Sequence, residues 1–511
     1  MAIEHFLLVA AVLLFLSIMA GKTGYRFGVP VLLLFLMIGT LAGSEVFSII
    51  SLDNFHVAQN IGVIALVCIL FSGGIDTKYK EILPVARQGV MLATLGVLLT
   101  ALITGVFIYF LTNWFFPNVT LTFLESLLLA SVMSSTDSAS VFALLRSKGL
   151  LLRHRLRPLL ELESGSNDPM AYMLTITLIS IIQQLQVSSE ATIAWGNVAL
   201  MFFAQLIIGA FLGFLLGKLA VRVINKINID NDALYPILLL SSMLFVFSLT
   251  YFLMGNGFLA VYVAGLVMGN SKFVHKRTTL KFFDGLAWLF QIVMFLALGL
   301  LVNPSELLPI MGIGILVGVF MILFSRPAAV LISLLPFRNM TFNDRLYVSW
   351  IGLRGAVPII FATYPMIAEI PHARTMFNIV FFITILSLMV QGTSVSWFAR
   401  LLGLARPVTT KRRLDDFDVD FADEMKSSMM QITVTDAMLQ NGHHLMNLPL
   451  HAKALVVMVK REDNYFIPKG STELRTGDKL LLICEDNKIL EETYKMLGAE
   501  VATKVEIEEE D

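Results

Sequence analysis

The sequence has little charge and almost no cysteine. Charged residues make up only 15% of its 511 positions and hydrophobic residues 57%, whereas a soluble domain carries about 25% charged residues. Its two cysteines, Cys68 and Cys484, are too few for a disulfide framework or for the four thiolates of a structural zinc site. The composition therefore indicates a membrane protein and excludes dithiol redox chemistry and tetrathiolate zinc.

Several sequence signals are also missing. No small-residue cleavage pattern follows the first apolar run, Phe6 to Ala20, so we interpret that run as a membrane span and not as a signal peptide. The chain contains no T-V-G-Y-G sequence, which argues against a potassium-channel filter. It also has no G-x-G-x-x-G fingerprint of a dinucleotide fold before its C-terminal region.

Long apolar runs are what the sequence does contain. A helix needs about 20 mostly apolar residues to cross a bilayer, because unpaired backbone amides are costly in hydrocarbon. This criterion predicts an all-α polytopic membrane protein with thirteen spans. The predicted spans begin near His5, Val29, Ala58, Gln88, Leu121, Pro158, Trp195, Asp232, Phe258, Lys281, Glu306, Asn343 and Arg374.

The loops between these spans alternate in charge. One side of the membrane receives 24 basic residues from the loops and span ends, and the other side receives only Arg374. The positive-inside rule assigns the basic side to the cytoplasm. We therefore expect a multi-pass protein of the bacterial inner membrane, with its N-terminus outside and its C-terminal region in the cytoplasm.

The C-terminal region is a different kind of sequence. Residues 1–413 hold 27 basic and 17 acidic residues, whereas residues 414–511 hold 10 and 21. The runs Ala454 to Lys460 and Lys479 to Cys484 are rich in Val, Leu and Ile and enclose turn residues, which predicts β-strands. The acidic end, Glu506 to Asp511, is predicted to be solvated and disordered.

Five charged residues stand out within the predicted spans. They are Asp137, Glu163, Asp168, Arg326 and Arg354. An ionised side chain at mid-membrane costs at least about 2.5 kcal/mol, so each is a functional candidate. Arg326 has an alternative interpretation as an interfacial charge. It lies about ten residues before a cytoplasmic arginine, so its head group can extend to the membrane interface.

Two spans carry sequences that interrupt a helix. Span five contains S-V-M-S-S-T-D-S-A-S, which is dense in hydroxyls around Asp137, and span twelve contains G-L-R-G-A-V-P around Arg354. The two spans occupy corresponding places if spans 1–6 and 8–13 are inverted repeats. Discontinuous helices in corresponding places of inverted halves indicate the central binding site of a transporter.

Span six reads E-L-E-S-G-S-N-D-P. Glu163 and Asp168 are five residues apart, about 140° around a helix, so their side chains face different surroundings. Arg354 needs a carboxylate partner, and we predict a structural ion pair between Glu163 and Arg354. Asp168, beside the neutral Asn167, is then left to exchange a proton for a cation.

Two other readings stay open from the residues alone. Asp137 and Asp168 can be purely structural charges, or they can form the dyad of an intramembrane aspartyl protease, in which two carboxylates share a proton. The protease reading leaves Arg354, the second interrupted span and the C-terminal region unexplained.

Three motifs together resemble the monovalent cation/proton antiporters over about residues 1–405: S-T-D in span five, E-S-x-S-N-D in span six and G-L-R-G-A-V in span twelve. The resemblance implies a homodimer in which each chain has a core and a dimerisation domain. It implies that Thr136, Asp137, Ser164 and Asp168 coordinate the cation, with Asn167 beside them. It also implies electroneutral exchange of one monovalent cation for one proton, with no cofactor or bound metal.

Two features refine this resemblance. Ser72, in L-F-S-G-G-I, stands where several sodium-exchanging relatives carry an acid. Residues 431–485 resemble the C-terminal subdomain of regulators of potassium conductance. The combination is similar to potassium/proton antiporters of the cell-volume-regulation type, which favours potassium and leaves sodium open.

The resemblance also divides the chain and suggests its partners. We predict a transmembrane domain over 1–405, a linker over 406–425, a cytoplasmic regulatory domain over 426–500 and an acidic tail over 501–511. The expected partners are the transported cation and proton, membrane lipid, a second copy of the chain and a small cytoplasmic ligand at the regulatory domain. No nucleic-acid partner is expected.

Overall fold

The computed structural model describes residues 3–27, 30–47, 49, 54–187, 194–227, 229–407, 429–440, 442–462 and 464–484, with five positions between 489 and 497. The chain separates into two compact units, Met1–Val408 and Thr409–Asp511. Residues 408–425 of the predicted linker and the predicted acidic tail, 501–511, lie outside the described residues.

The first unit is helical, and its helices follow the thirteen predicted spans. Among the described residues, nine helices are long and apolar enough to cross a membrane, and four further apolar helices have 10–17 residues. The helices are α1 (Ile3–Phe27), α2 (Val31–Ala42), α3 (Phe55–Asp76), α4 (Tyr79–Phe115), α5 (Phe123–Val132), α6 (Ser138–Ser147), α7 (Leu156–Val187), α8 (Trp195–Lys226), α9 (Leu234–Phe252), α10 (Gly257–Gly269), α11 (Lys276–Leu300), α12 (Pro304–Leu334), α13 (Phe342–Trp350), α14 (Ala356–Ile367) and α15 (Ala373–Leu401).

Three of the long helices contain a π-helical turn. These turns are Leu92–Gly96 in α4, Met321–Ser325 in α12 and Leu388–Gly392 in α15. A π-turn inserts an extra residue into the helical ladder and is frequent at functional sites. Arg326 directly follows the turn in α12, and Gln391 lies within the turn in α15. Both turns therefore place a polar side chain inside the helical unit.

The helices of this unit form two bundles. Helices α1–α3 and α8–α11 pack mainly on one another, and α4–α7 pack with α12–α15. We call the first group the scaffold bundle and the second the core bundle. Within the scaffold bundle, α8 and α10 touch through glycine: a Cβ atom on Gly213 would lie 2.4 Å from the carbonyl oxygen of Ala260.

A short two-stranded ribbon joins two distant parts of the first unit. Strand β1 (Leu150–Leu152) lies between α6 and α7, and it pairs antiparallel with β2 (Ala405–Pro407), which follows α15. The amide of Arg153 extends the pairing by donating to the carbonyl of Leu404 at 3.0 Å. Residues 406 and 407, predicted as the start of a linker, therefore belong to a strand.

The second unit contains a four-stranded sheet in the order β3-β6-β4-β5. Its strands are β3 (Met429–Thr433), β4 (Ala454–Arg461), β5 (Asn464–Phe466) and β6 (Lys479–Cys484), and all neighbours are antiparallel. The two strands predicted from apolar runs are β4 and β6. Val459 and Leu480 are fully buried in a core that belongs to this unit alone.

Candidate functional site

The two interrupted helices meet inside the core bundle. The first gap separates α5, which ends at Val132, from α6, and the second separates α13, which ends at Trp350, from α14. The amide of Asp137 donates to the carbonyl of Leu353 at 2.8 Å. Both predicted interruptions are present, and each supplies a hydrogen-bond partner for the other.

Close approach of the two gaps requires a glycine. A Cβ atom at Gly355 would lie 2.7 Å from a carboxylate oxygen of Asp137, so a larger residue would displace that carboxylate. The two gaps are thus complementary. The hydroxyls of the first gap offer hydrogen-bond partners to backbone groups that are not paired within a helix, and the glycine of the second gap lets the two backbones approach closely.

Arg354 stabilises the gap between α5 and α6. Its Nη1 donates to the carbonyl oxygens of Ser134 at 3.1 Å and Ser135 at 2.5 Å. These carbonyls lie two and three residues after the C-terminal end of α5, where a positive charge is favourable. Arg354 is only 3% exposed and is satisfied by backbone oxygens.

Helix α15 completes the second gap. The hydroxyl of Ser387 accepts from the amide of Arg354 at 2.9 Å and donates to Oε1 of Gln391 at 2.6 Å. Nε2 of Gln391 then donates to the carbonyl of Trp350 at 2.8 Å. The side chains of α15 therefore pair with backbone groups on both sides of the gap, as freed groups in hydrocarbon require.

Glu163 has a different partner from the one the sequence suggested. Its Oε1 pairs with Nη2 of Arg326 in α12, and the two side chains are 1% and 2% exposed. The predicted structural ion pair of Glu163 with Arg354 is wrong, because Glu163 pairs with Arg326 and the Arg354 guanidinium donates to the carbonyls of Ser134 and Ser135. The reading of Arg326 as an interfacial charge is wrong too, since its head group is buried in the core bundle.

Asp168 lies five residues further along α7 in a different setting. It is 6% exposed, and its Oδ1 accepts from the hydroxyl of Ser135 at 2.5 Å. In the part of the chain that the structure describes, no lysine, arginine or histidine forms an ion pair with Asp168. Its carboxyl group therefore has a neutral partner, where that of Glu163 has a positive one.

The other candidate residues surround Thr136. Asn167 donates through Nδ2 to the Thr136 hydroxyl at 2.6 Å, and the hydroxyl of Ser164 donates to the Thr136 carbonyl at 3.0 Å. The Ser164 oxygen also accepts from the amide of Ser138 at 3.1 Å. The structure thus brings Thr136, Asn167 and Ser164 together, and Asp168 joins them through the neighbouring Ser135.

Asp137 occupies the start of α6. Its Oδ1 accepts from the amide of Ser140 at 3.2 Å, and its Oδ2 accepts from the Ser140 hydroxyl. A carboxylate that accepts from the amide three residues ahead is an N-cap. Asp137 therefore stabilises α6 while its side chain also borders the site.

A cavity of about 300 Å³ lies between the two bundles and reaches both aspartates. At about 30 Å³ per water, this volume holds on the order of ten waters, enough for a hydrated cation. Its core wall includes Asp137, Ser164 and Asp168, and its scaffold wall includes Ser72. The exposed carboxylates Asp76 and Asp284 also line it, so the cavity connects the buried site with one surface of the unit.

Sequence reasoning gave no individual role to Ser135 and Ser140, although both belong to the hydroxyl-rich motif; they donate to Asp168 and Asp137. Arg326 was identified as an intramembrane charge, but its partner Glu163 was not predicted. Among the described residues, no group of three or more histidine, cysteine or acidic side chains is placed to hold a metal ion.

Comparison with known families gives two matches that together cover most of the chain. The profile of the sodium/hydrogen exchanger transmembrane family matches residues 10–401, and that of the TrkA-C domain matches residues 429–498. The first match includes both gaps, the cavity and every candidate site residue. The second covers the four-stranded sheet of the C-terminal unit.

Individual relatives resemble nearly the whole chain. The K(+)/H(+) antiporter NhaP of Alkalimonas amylolytica is 38% identical over 95% of this chain and 82% of its own length. The K(+)/H(+) antiporter NhaP2 of Shewanella oneidensis is 36% identical over 96% of this chain and 82% of its own length. The probable Na(+)/H(+) antiporter 2 of Methanocaldococcus jannaschii is 27% identical over 66% of this chain and 79% of its own length.

A solved structure shares the fold. The sodium proton antiporter MjNhaP1 from Methanocaldococcus jannaschii at pH 8 aligns with a TM-score of 0.67 and 22% sequence identity. The alignment covers 79% of this chain and 100% of that chain. At this identity the likeness establishes the arrangement of the helices.

Proposed function

Because the chain belongs to the sodium/hydrogen exchanger family, we propose that it exchanges potassium for protons through Asp168, one ion for one proton. The observation that carries the proposal is the contrast in charge partners along α7. Glu163 pairs with Arg326, whereas Asp168 borders a cavity of about 300 Å³, and among the described residues its carboxylate accepts a hydrogen bond from the hydroxyl of Ser135. The names of the two relatives at 36–38% identity favour potassium over sodium.

Asp168 is the group that changes state in this mechanism. A carboxylate can bind either a proton or a cation, and it cannot hold both charges at once. Ser135, Thr136, Ser164 and Asp137 offer oxygen atoms around it, the ligand type that alkali cations prefer. Protonation removes the negative charge that binds the cation, so cation release and proton uptake are coupled at one side chain.

The one-for-one stoichiometry follows from the number of titrating groups. Asn167 precedes Asp168 and cannot ionise, and we assign Asp137, which caps α6 through Ser140, to cation binding alone. A single carboxylate that carries either one cation or one proton moves the same charge in both directions. Exchange is therefore expected to be electroneutral.

Access to Asp168 must alternate between the two sides of the membrane. The cavity reaches Asp76, and the basic residues Lys78 and Lys80 follow directly in the sequence. By the positive-inside rule this is the cytoplasmic side, so we assign the structure to a state open to the cytoplasm. The same assignment puts the N-terminus outside, with the bacterial inner membrane as the location.

A second part of the proposal is that the C-terminal unit regulates exchange. Strand β2 ends just before the chain enters that unit, and it pairs with β1, which directly precedes the site helix α7. A displacement of the chain after residue 407 would therefore move β2, and through its pairing with β1 the connection between α6 and α7. We propose that a small cytoplasmic ligand, bound by the C-terminal unit, causes this displacement.

We further propose that the protein works as a homodimer in contact with lipid. Helices α1 and α8 are the least buried of the long spans, with 12% and 11% of their apolar windows buried. Their outer faces carry exposed Leu, Phe and Ile side chains, which suit either acyl chains or a second copy. Cross-linking in native membranes would test dimer formation.

Everted membrane vesicles provide the direct test of the exchange. A respiration-driven proton gradient quenches a pH-sensitive dye, and potassium, sodium, rubidium or lithium is then added in turn. Dequenching should be largest with potassium and rubidium. With reconstituted protein, clamping the membrane potential with valinomycin under matched ion gradients should leave the rate unchanged, and a clear dependence on potential would refute one-for-one exchange.

A further inference from the structure

Beyond the cavity, a buried hydrogen bond joins the site helix α7 to the scaffold bundle. Asn256, directly before α10, is 1% exposed, and its Nδ2 donates to the carbonyl of Pro169 at 2.9 Å. Pro169 is the neighbour of Asp168 in α7. A buried amide group without a partner is costly. This hydrogen bond therefore favours one position of the site helix along its axis relative to α10.

Asn256 is itself held firmly by the scaffold bundle. Its backbone amide donates to the carbonyl of Gln205 in α8 at 3.0 Å, and its Oδ1 accepts from the amide of Leu259 at 3.0 Å as the N-cap of α10. Of these three hydrogen bonds of Asn256, the two to Gln205 and Leu259 lie within the scaffold bundle, and the one to Pro169 crosses to the core bundle. Among the three, the bond to Pro169 is therefore the one that must break when α7 moves relative to α10.

The contact lies on the closed side of Asp168. The cavity extends from Asp168 toward Glu161, which precedes it in α7, whereas Pro169 and Tyr172 follow it. On the closed side, Tyr172 meets Phe258 of α10 edge to face, with ring centroids 4.9 Å apart. The hydrogen bond from the Asn256 side chain and this aromatic contact together hold α7 against α10 on the side of Asp168 that the cavity does not reach.

We propose that Asn256 is a positioning residue that holds α7 against α10 in the cavity-open state and must release the Pro169 carbonyl before the site opens to the other side. The inference rests on the proposed exchange function, because only a transporter needs Asp168 to reach both sides. Asn256 is not among the described residues that line the cavity, and its side chain bonds to Pro169 and Leu259. It acts through the position of the helix that carries Asp168.

The substitution Asn256→Ser separates this role from helix capping. Serine is as good an N-cap as asparagine, but its shorter side chain cannot reach the Pro169 carbonyl. Asn54→Ser is the matched control, because Asn54 caps α3 by accepting from the amide of His56 at 2.9 Å and is exposed. The two variants make the same chemical change, and only one removes a contact between the bundles.

The reporter is a cysteine on the closed side. Phe361, in α14, is fully buried beside Tyr172 and Phe258, and Phe361→Cys is made in full-length protein with Cys68→Ala and Cys484→Ala. A membrane-impermeant maleimide is added from the side opposite the cavity. Losing one buried hydrogen bond should raise the population open to that side, and the labelling rate, about three- to tenfold.

The outcomes distinguish this inference from the exchange function. Faster labelling with Asn256→Ser, and unchanged labelling with Asn54→Ser, support the positioning role. Equal labelling of both variants, in proteins of normal thermal stability that still exchange, would overturn it and leave the function intact. A merely structural role would lower the melting temperature of Asn256→Ser without changing labelling, which also contradicts the inference.

Discussion

Glu163 and Asp168 make an informative comparison because they share one helix and almost the same burial. They are 1% and 6% exposed and lie five residues apart on α7. Glu163 turns into the core bundle and pairs with Arg326, whereas Asp168 lines the cavity and, among the described residues, accepts a hydrogen bond from the neutral Ser135. The difference lies in the charge of the partner and in the access to the cavity. This contrast is why we propose that Glu163 has a structural role and that Asp168 exchanges its ion.

The strongest test of this comparison replaces Asp168. Asp168→Asn preserves the shape of the side chain but can neither bind a proton nor carry a negative charge at the site. We expect exchange to fall to background in everted vesicles, with normal expression and thermal stability. Asp284→Asn is the control, because Asp284 lines the same cavity but is exposed, and it should retain exchange. Exchange at the normal rate by Asp168→Asn would remove Asp168 from the mechanism.

The next test breaks the paired acid. Arg326→Ala leaves Glu163 as an uncompensated buried charge, which costs about 3–5 kcal/mol. Expression and melting temperature should fall strongly. Arg374→Ala is the matched control, since its ion pair with Glu306 is 47% and 34% exposed and should contribute about 1 kcal/mol or less.

A double replacement sharpens the same point. Glu163→Leu combined with Arg326→Met removes both charges, and buried pairs replaced by apolar residues are often neutral in stability. The double variant should therefore be more stable than Arg326→Ala alone. If Arg326→Ala proved as stable as Arg374→Ala, the pair would not be the structural charge that this comparison requires.

The sequence predicted the two helix interruptions because those depend on local chemistry. Hydroxyls around Asp137, and the glycines and proline around Arg354, compete with a continuous helix wherever they fold. The position of Asp168 relative to Glu163 follows from helical geometry alone. The two apolar runs that became β4 and β6 are likewise local patterns.

The partner of Glu163 was beyond sequence reasoning because it depends on which helices cross. Two intramembrane arginines were available, and the choice of Arg354 assumed that a buried arginine needs a carboxylate. Arg354 uses the carbonyl oxygens of Ser134 and Ser135, acceptors that exist only because α5 stops there. Arg326 is followed by eight more residues of α12, about 12 Å of helix, which keeps its head group from the interface.

A smaller effect is expected from the C-terminal unit, which contains neither carboxylate of the comparison. Two truncations separate its influence from that of the ribbon: one ends after Val408 and keeps β2, and the other ends after Leu404 and removes it. The first should keep exchange but lose activation by pH, potassium or a cytoplasmic ligand, with a coupling of about 1–3 kcal/mol. The second should also lower the maximal rate, because β1 loses its partner beside α7.

Three results for the proteins that end after Val408 or Leu404 would contradict these expectations. A protein ending after Val408 that is dimeric, fully active and unchanged in every activation curve would refute regulation. Loss of both the dimer and the activity in that protein would assign the C-terminal unit to assembly instead. Equal rates for the two truncations would show that the ribbon does not transmit the effect to α7.

The smallest effect concerns an acid–arginine pair of the C-terminal unit, Asp478 and Arg461, in which the arginine is 28% exposed. Asp478 accepts from Nε and Nη2 of Arg461 at 2.9 and 2.7 Å. Burial by itself raises the pKa of Asp478, but the hydrogen bonds from Arg461 and from the Arg475 amide outweigh it and hold that pKa below its ordinary value.

A carboxylate whose pKa is lowered on folding contributes stability above its unfolded pKa, and this contribution is lost as the pH falls through the lowered, folded value. The C-terminal unit should therefore be most protected at neutral pH and lose on the order of 1 kcal/mol on acidification, because Arg461 is partly exposed. Asp478→Asn should show the same loss already at neutral pH. Hydrogen exchange of the β4 and β6 amides in full-length protein, corrected for intrinsic rates, measures both. Equal protection of Asp478→Asn and the unaltered protein at neutral pH, or protection that rises on acidification, would show that this pair does not contribute as its geometry implies.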